Sequence, residues 1–461
     1  MIDVAFYCFL VVLGCITLWA LQEPRRLLSA PFQMAGTCLF FVAPQLYVLR
    51  EHPYLVPKDG MVHYTFFAIG CIIACVLGYS REPEFHDSPR STSSIDIEKV
   101  GWIAIATSML GLAGMVALSI YIQVIGVRGL WTGWPVYLYT LSKFVFPGLI
   151  LVRMLYFVTF DFKYRIWSFV LVAPILIQAF QNGRRSWTFL LLFAWFLPAV
   201  MAGRVRLRPV YGVLALVGAF FVVTLFPAYR DYARKEGYAV MWQHVKERPP
   251  SEVLDHYFSG KQTLEIRDAV VLTSIVRENQ LYSYGVRMLN GMIQNYVPGS
   301  LIGHDAKDGL KFSAPKYEAF ENDIQVTDGF QGGSVKFYTA KTGFFDSYAE
   351  FSYFGVLLYF ALGYWFRRVE DLCFVKKDLR GVLFMCFLGF LPAAVVYDEW
   401  KNVLSLYLPT TFILFLCIYF GTSEESMAAD QGDSTMKDRT RGAPEASRGS
   451  EFKPLPRASG E

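Results

Sequence analysis

Val4–Leu21 reads "VAFYCFLVVLGCITLWAL": no charged residue, and enough helix to cross a bilayer core of about 30 Å. No basic residue precedes the stretch, while Arg25 and Arg26 follow it. A secretory leader has the opposite arrangement, so the segment reads as a retained first membrane helix. The pattern recurs at "FFAIGCIIACVLGY" (66–79) and "VYGVLALVGAFFVVTLF" (210–226). Of the 461 residues, 54% are hydrophobic and only 18% charged, against about 25% charged in soluble domains.

Working outward, apolar windows predict about 11 transmembrane helices, near 2–21, 30–48, 61–79, 101–125, 136–158, 166–181, 187–202, 209–227, 346–366, 381–397 and 403–420. The expected fold is an all-α polytopic membrane bundle. Its parts are an N-terminal bundle (1–228), a large loop domain (229–343), C-terminal helices (344–420) and a tail (421–461) that is nearly free of large apolar residues and is expected to be disordered.

Positive charge in short connections marks the cytoplasmic side. With the N-terminus outside, the inner connections hold Arg25, Arg26, Arg81, Arg90, Lys99, Lys163, Arg165, Arg204, Arg206, Arg208, Arg367, Arg368, Lys376, Lys377 and Arg380, which is 15. The short outer ones hold Arg50, Lys58, Arg128, Arg184, Arg185 and Lys401, which is 6. This places the C-terminus in the cytoplasm and the 229–343 loop outside. Amphipathic stretches such as "DAVVLTSIVRENQLYSYGVRMLNGMIQNYV" predict a mainly helical cap over the bundle.

The net charge of +4 is small and argues against a nucleic-acid partner. None of the eight cysteines lies in the outer loop, so no disulfide framework forms there, and no Cys/His spacing resembles a metal site. The sequence calls for no cofactor.

The pair Arg184–Arg185 sits in an outer turn, against the prevailing charge rule. It either snorkels to lipid phosphates or binds a diphosphate, since guanidinium forks match phosphate oxygens. Arg230 follows the eighth helix, and Arg277 and Arg287 lie in the amphipathic loop segment; interface anchoring and surface exposure are their plain alternatives. Asp346 and Glu350, four apart on one helical face, are carboxylate candidates or N-terminal helix charges. Asp398 and Glu399, in the last outer turn, either face the cleft or pair with Lys401. His244, His256 and His304 lack a recognisable partner. Tyr282 and Tyr284, with Trp131 and Trp134, are sugar-stacking candidates or interfacial aromatics. Lys143 is expected to pair within the bundle, and Arg153 to snorkel inward.

Three stretches, "QNGRRSWTFLLLF" (181–193), "LYSYGVRMLNGMIQNYVPGSLIG" (281–303) and "TGFFDSYAEFSYFGVLLYFALGYWFRR" (342–368), stand in this order around the outer loop. Their order resembles the Wzy-type O-antigen and exopolysaccharide repeat-unit polymerases over about residues 170–370. The family pattern has a Glu and a small residue where this chain has Ala349 and Tyr353, with Glu350 one position on.

The resemblance implies a GT-C-like membrane glycosyltransferase of the bacterial inner membrane. Such an enzyme joins sugar units carried on undecaprenyl diphosphate, without metal and with inversion. Membrane lipid surrounds it, and chain-length regulator and export proteins are its partners. On this reading Glu350 and Asp346 are catalytic. Arg184, Arg185, Arg230, Arg277 and Arg287 bind the diphosphate, and Tyr282 and Tyr284 bind sugar. An O-antigen ligase and a lipid-linked-oligosaccharide flippase are the alternatives; the flippase predicts paired repeats, and none is visible.

Overall fold

The structure is a computed structural model. It describes residues 1–81, 96–125, 134–182, 185–205, 208–214, 217–218, 251–252, 255, 258, 265–297, 299–315, 342–375 and 379–420. Among these residues every regular element is helical. Helix α1 is Ile2–Leu21. Helices α2 (Ala30–Thr37) and α3 (Ala43–Glu51) are joined through the π turn Cys38–Val42. Then come α4 (Lys58–Tyr79), α5 (Ile97–Ile125), α6 (Trp134–Ser142), α7 (Val145–Thr159), α8 (Phe162–Asn182) and α9 (Arg185–Met201). From the expected loop domain come α10 (Glu265–Glu278) and α11 (Val286–Tyr296). The chain closes with α12 (Gly343–Phe351), α13 (Val356–Glu370), α14 (Leu379–Leu388), α15 (Leu391–Tyr397) and α16 (Trp400–Phe420).

Among the described residues six helical segments are long and apolar enough to cross a membrane: Ile2–Leu21, Ala30–Glu51, Lys58–Tyr79, Ile97–Ile122, Trp134–Thr159 and Arg380–Tyr397. They are compatible with a membrane protein. Shorter apolar helices, Trp187–Met201 and Thr410–Phe420, fall where the seventh and eleventh spans are expected. Most of the eighth expected span (209–227) and the whole tail from residue 421 lie outside the described residues.

Glycine lets the helices approach closely. A Cβ on Gly363 would run into the Cys75 carbonyl, and one on Gly78 into that of Phe360, so α4 and α13 cross backbone to backbone. Two buried hydroxyls are satisfied within their own helix: Thr65 donates to the Met61 carbonyl at 2.8 Å and Ser108 to that of Ala104 at 2.6 Å.

Proline sets the breaks. Pro147 has no N–H for the Lys143 carbonyl; Phe146 donates to it instead at 3.2 Å. The helix therefore breaks between α6 and α7, and Lys143 sits at the break. Ahead of Pro44 the chain absorbs the fault in its π turn, with the Ala43 amide reaching back to Cys38.

Successive helices run between two ends. One end gathers 52–57, α10, α11, α12 and the Asp398–Glu399 connection. The opposite end gathers Arg26 over Trp19, Tyr79 donating to buried Glu370, and Arg367 paired with Asp371 at 3.4 Å.

Four details depart from the sequence reading. The amphipathic stretch is two helices, because the chain turns at 279–285 and Gly285 takes φ 88°. Helix α10 is no cap over the bundle: Ile266 and Asp268–Val276 are all buried, against α3, α4 and α12. Gly60 admits it, since a Cβ there would stand 2.9 Å from the Val270 carbonyl oxygen. The expected helix at 346–366 is interrupted at Ser352–Gly355. Arg153, expected to snorkel inward, is instead buried, its guanidinium carbon 3.9 Å from the Trp195 ring centroid.

Candidate functional site

At the loop-bearing end two side-chain clusters form, one on each side of α12. The first is a clasp between the 281–285 turn and the end of α12. Ser283 and Tyr284 donate their amides to the carbonyls of Ala349 (3.1 Å) and Glu350 (2.7 Å). The Gly285 amide donates to Glu350 Oε2 at 2.7 Å. Gly285 is the N-cap of α11, so the fully buried Glu350 carboxylate closes that helix N-terminus. Behind the turn, the Tyr282 and Tyr348 hydroxyls are 3.4 Å apart.

The second cluster gathers around Asp398, in the connection from α15 to α16. Asp398 Oδ1 accepts from the Glu399 amide and from Asn402 Nδ2, each at 2.9 Å. Glu399 is buried beside it. Across from them lies buried Lys143, whose charge acts on Asp398 and whose Nζ sits 4.5 Å from the Tyr139 ring centroid. Burial, with the Glu399 charge, pushes the Asp398 carboxyl up to about 6, against the Asn402 hydrogen bond and the Lys143 charge. Tyr139 stacks on Trp187, two residues into α9 from Arg185. Helix α11 packs against α16, and the Tyr137 hydroxyl donates to the Val297 carbonyl at 3.4 Å, so α11 bridges α6 and α16. Below the cluster lies an apolar cavity of about 20 Å³ between Phe146, Phe193, Phe390 and Tyr407.

The expected site residues distribute unevenly over these clusters. Glu350, Tyr282 and Tyr284 meet in the clasp. Asp346 is buried on the same helix, α12. Arg287 is partly buried on α11, two residues after its N-cap. Arg277 lies in the last turn of α10, where its charge reaches His63 on α4. Arg185 is the first residue of α9, and its side chain is outside the described set. Arg184, Arg230, His244, His256 and Trp131 lie outside the described residues; His304 is exposed.

Three residues carry more than the sequence reading gave them. The charge of Lys143 acts on Asp398, although the two are far apart in the chain. The sequence signals are a lysine inside an apolar run and, separately, Asp398 in the last outer turn; intramembrane charges are costly and mark function. His63, in another apolar run, hydrogen-bonds through Nδ1 to the Tyr353 hydroxyl at 2.8 Å. Among the described residues no three His, Cys, Asp or Glu side chains gather in a way that would hold a metal ion. The chain matches no protein-family model, no curated protein and no solved structure.

Proposed function

We propose that this chain is a GT-C-like membrane glycosyltransferase with about 11 spans. In this reading the N-terminus and the loop-bearing end face outward at the bacterial inner membrane, with the C-terminus in the cytoplasm. Its reaction joins oligosaccharide repeat units carried on undecaprenyl diphosphate into a surface polysaccharide. The observation that carries the reading is the Lys143–Asp398 cluster. It sets a buried cation against a carboxylate at the end of the bundle where α9 begins with Arg185, beneath the helix that carries Arg287. The resemblance of the three sequence stretches adds to it.

The chemistry asks for this combination. An acceptor hydroxyl attacks the anomeric carbon of the donor; the new glycosidic C–O bond forms as the C–O bond to the diphosphate breaks. The lipid diphosphate leaves with the electron pair, and preorganised cations stabilise the charge that develops on it. Arg184, Arg185, Lys143 and Arg287 supply those cations. The hydroxyl proton passes to a carboxylate whose pKa lies near the working pH, which suits Asp398. A single displacement inverts the anomeric centre. Glu350, committed to the Gly285 amide, becomes a positioning residue that seats α11 and its Arg287.

Deleting the gene and profiling lipid-linked glycans tests the function. Accumulation of single repeat units is the expected result. Long unligated chains would indicate a ligase, and units trapped on the inner leaflet a flippase; either would overturn the reading.

A further inference from the structure

The clasp continues beyond Tyr282 into a chain of polar aromatic groups that the diphosphate chemistry does not use. The Tyr284 ring lies 6.5 Å from that of Tyr282, and Tyr282 lies 5.9 Å from Tyr348. Tyr348 meets Tyr353 edge-on at 5.5 Å, with Phe67 behind both. The chain ends at His63, bonded to the Tyr353 hydroxyl, within range of the Arg277 charge. Its interior member, Tyr348, is 1% exposed, while Tyr353 and Tyr284 at its ends are 51% and 75% exposed. The row therefore passes through the packed core and reaches the surface at both ends.

A belt of interfacial aromatics requires only rings at headgroup level, not hydroxyls joined to one another. Here the hydroxyls and the imidazole are pooled, and the backbone is bent to pool them. Four non-glycine residues among those described have positive φ, and three border this cluster: Gln280 (52°), Tyr284 (49°) and Ser352 (54°). Such conformations persist where surrounding structure enforces them, and they concentrate at functional sites. Exposed aromatic faces carry negative charge density that suits the polarised C–H faces of a sugar. The imidazole and phenol groups beside them both donate and accept hydrogen bonds, as sugar hydroxyls do.

We propose that His63 and Tyr353, with Tyr284, form a carbohydrate subsite for the acceptor glycan, separate from the cations that hold the diphosphate. The proposal rests on the glycosyl-transfer reading. The His63–Tyr353 pair binds a sugar hydroxyl, Tyr284 offers a stacking face, and Glu350 holds Tyr284 in place through the clasp.

The test uses the full chain in lipid nanodiscs and reads carbethoxylation of His63 by peptide mass spectrometry. The probes are the repeat-unit oligosaccharide released by mild acid from the host's own lipid-linked glycan, and sugar-free undecaprenyl diphosphate. The expected result is at least about fivefold slower modification of His63 with the oligosaccharide and no slowing with the sugar-free lipid. Tyr353→Phe, which removes one hydroxyl, should abolish the protection and leave the protein folded by thermal melting. Equal protection by the sugar-free lipid would overturn the subsite and make the cluster a lipid contact. Native mass spectrometry separates the two readings. Oligosaccharide that binds without shielding His63 overturns the subsite alone, whereas absence of any glycan binding overturns glycosyl transfer as well.

Discussion

Asp398→Asn should make the protein more stable and inactive at once. Asparagine keeps a side-chain oxygen for the Glu399 amide and Asn402, so the two 2.9 Å hydrogen bonds survive. What disappears is a carboxylate whose pKa burial has moved from 3.8 to about 6. At about 1.4 kcal/mol per pH unit, the ionised form costs the folded state about 3 kcal/mol at neutral pH. The sign follows from the direction of the shift. A raised carboxyl favours folding while it is protonated in both states, below about pH 4, and that contribution is lost as pH rises through about 6. Thermal unfolding in nanodiscs from pH 4 to 8 reads the effect. Wild type should lose stability relative to the Asn variant across this window, with the full difference reached by about pH 7. Activity should rise in wild type with an apparent pKa near 6 and be absent in the variant. Parallel unfolding profiles, or an Asn variant that still transfers sugar, would refute the role given to Asp398.

Three further outcomes follow from the same geometry. Lys143→Met removes the cation that lowers the Asp398 carboxyl, so the activity limb should move above about pH 6; an unmoved pH profile contradicts this. Glu350→Gln retains an acceptor for the Gly285 amide and should stay active, while Glu350→Ala should lose about 1.5–3 kcal/mol from a broken charge-assisted hydrogen bond; loss of catalysis in the Gln variant with intact stability would restore Glu350 as catalytic. Gly363→Val should cost about 1–3 kcal/mol by forcing α13 away from the Cys75 backbone, read as a lower melting temperature and lower membrane yield.

Much of the bundle was legible because apolar length is a local property. The stretch 4–21 predicts α1 with no further information, whereas the single span expected at 136–158 misses the break ahead of Pro147 that places Lys143. The site was less legible because its pairings are long-range. Nothing near Lys143 in the chain points to Asp398, since the two come within reach only when α16 packs against α6. Glu350 reads as catalytic from its position beside an aromatic-rich motif; its partner, the Gly285 amide, is a backbone group and leaves no signature of its own. His63 is hidden in an apolar helix, and only the turn at Ser352–Gly355 brings Tyr353 to it. Helix α10 misled because its alternation suggests one wet face, yet Gly60 lets it sink between α4 and its neighbours.

The most direct measurement reconstitutes the purified full-length chain with defined undecaprenyl-diphosphate oligosaccharide and follows both products. The expected product is a ladder of lipid-linked glycans spaced by one repeat unit, with one undecaprenyl diphosphate released per bond formed. Substrate that stays monomeric, with no diphosphate released, would contradict it.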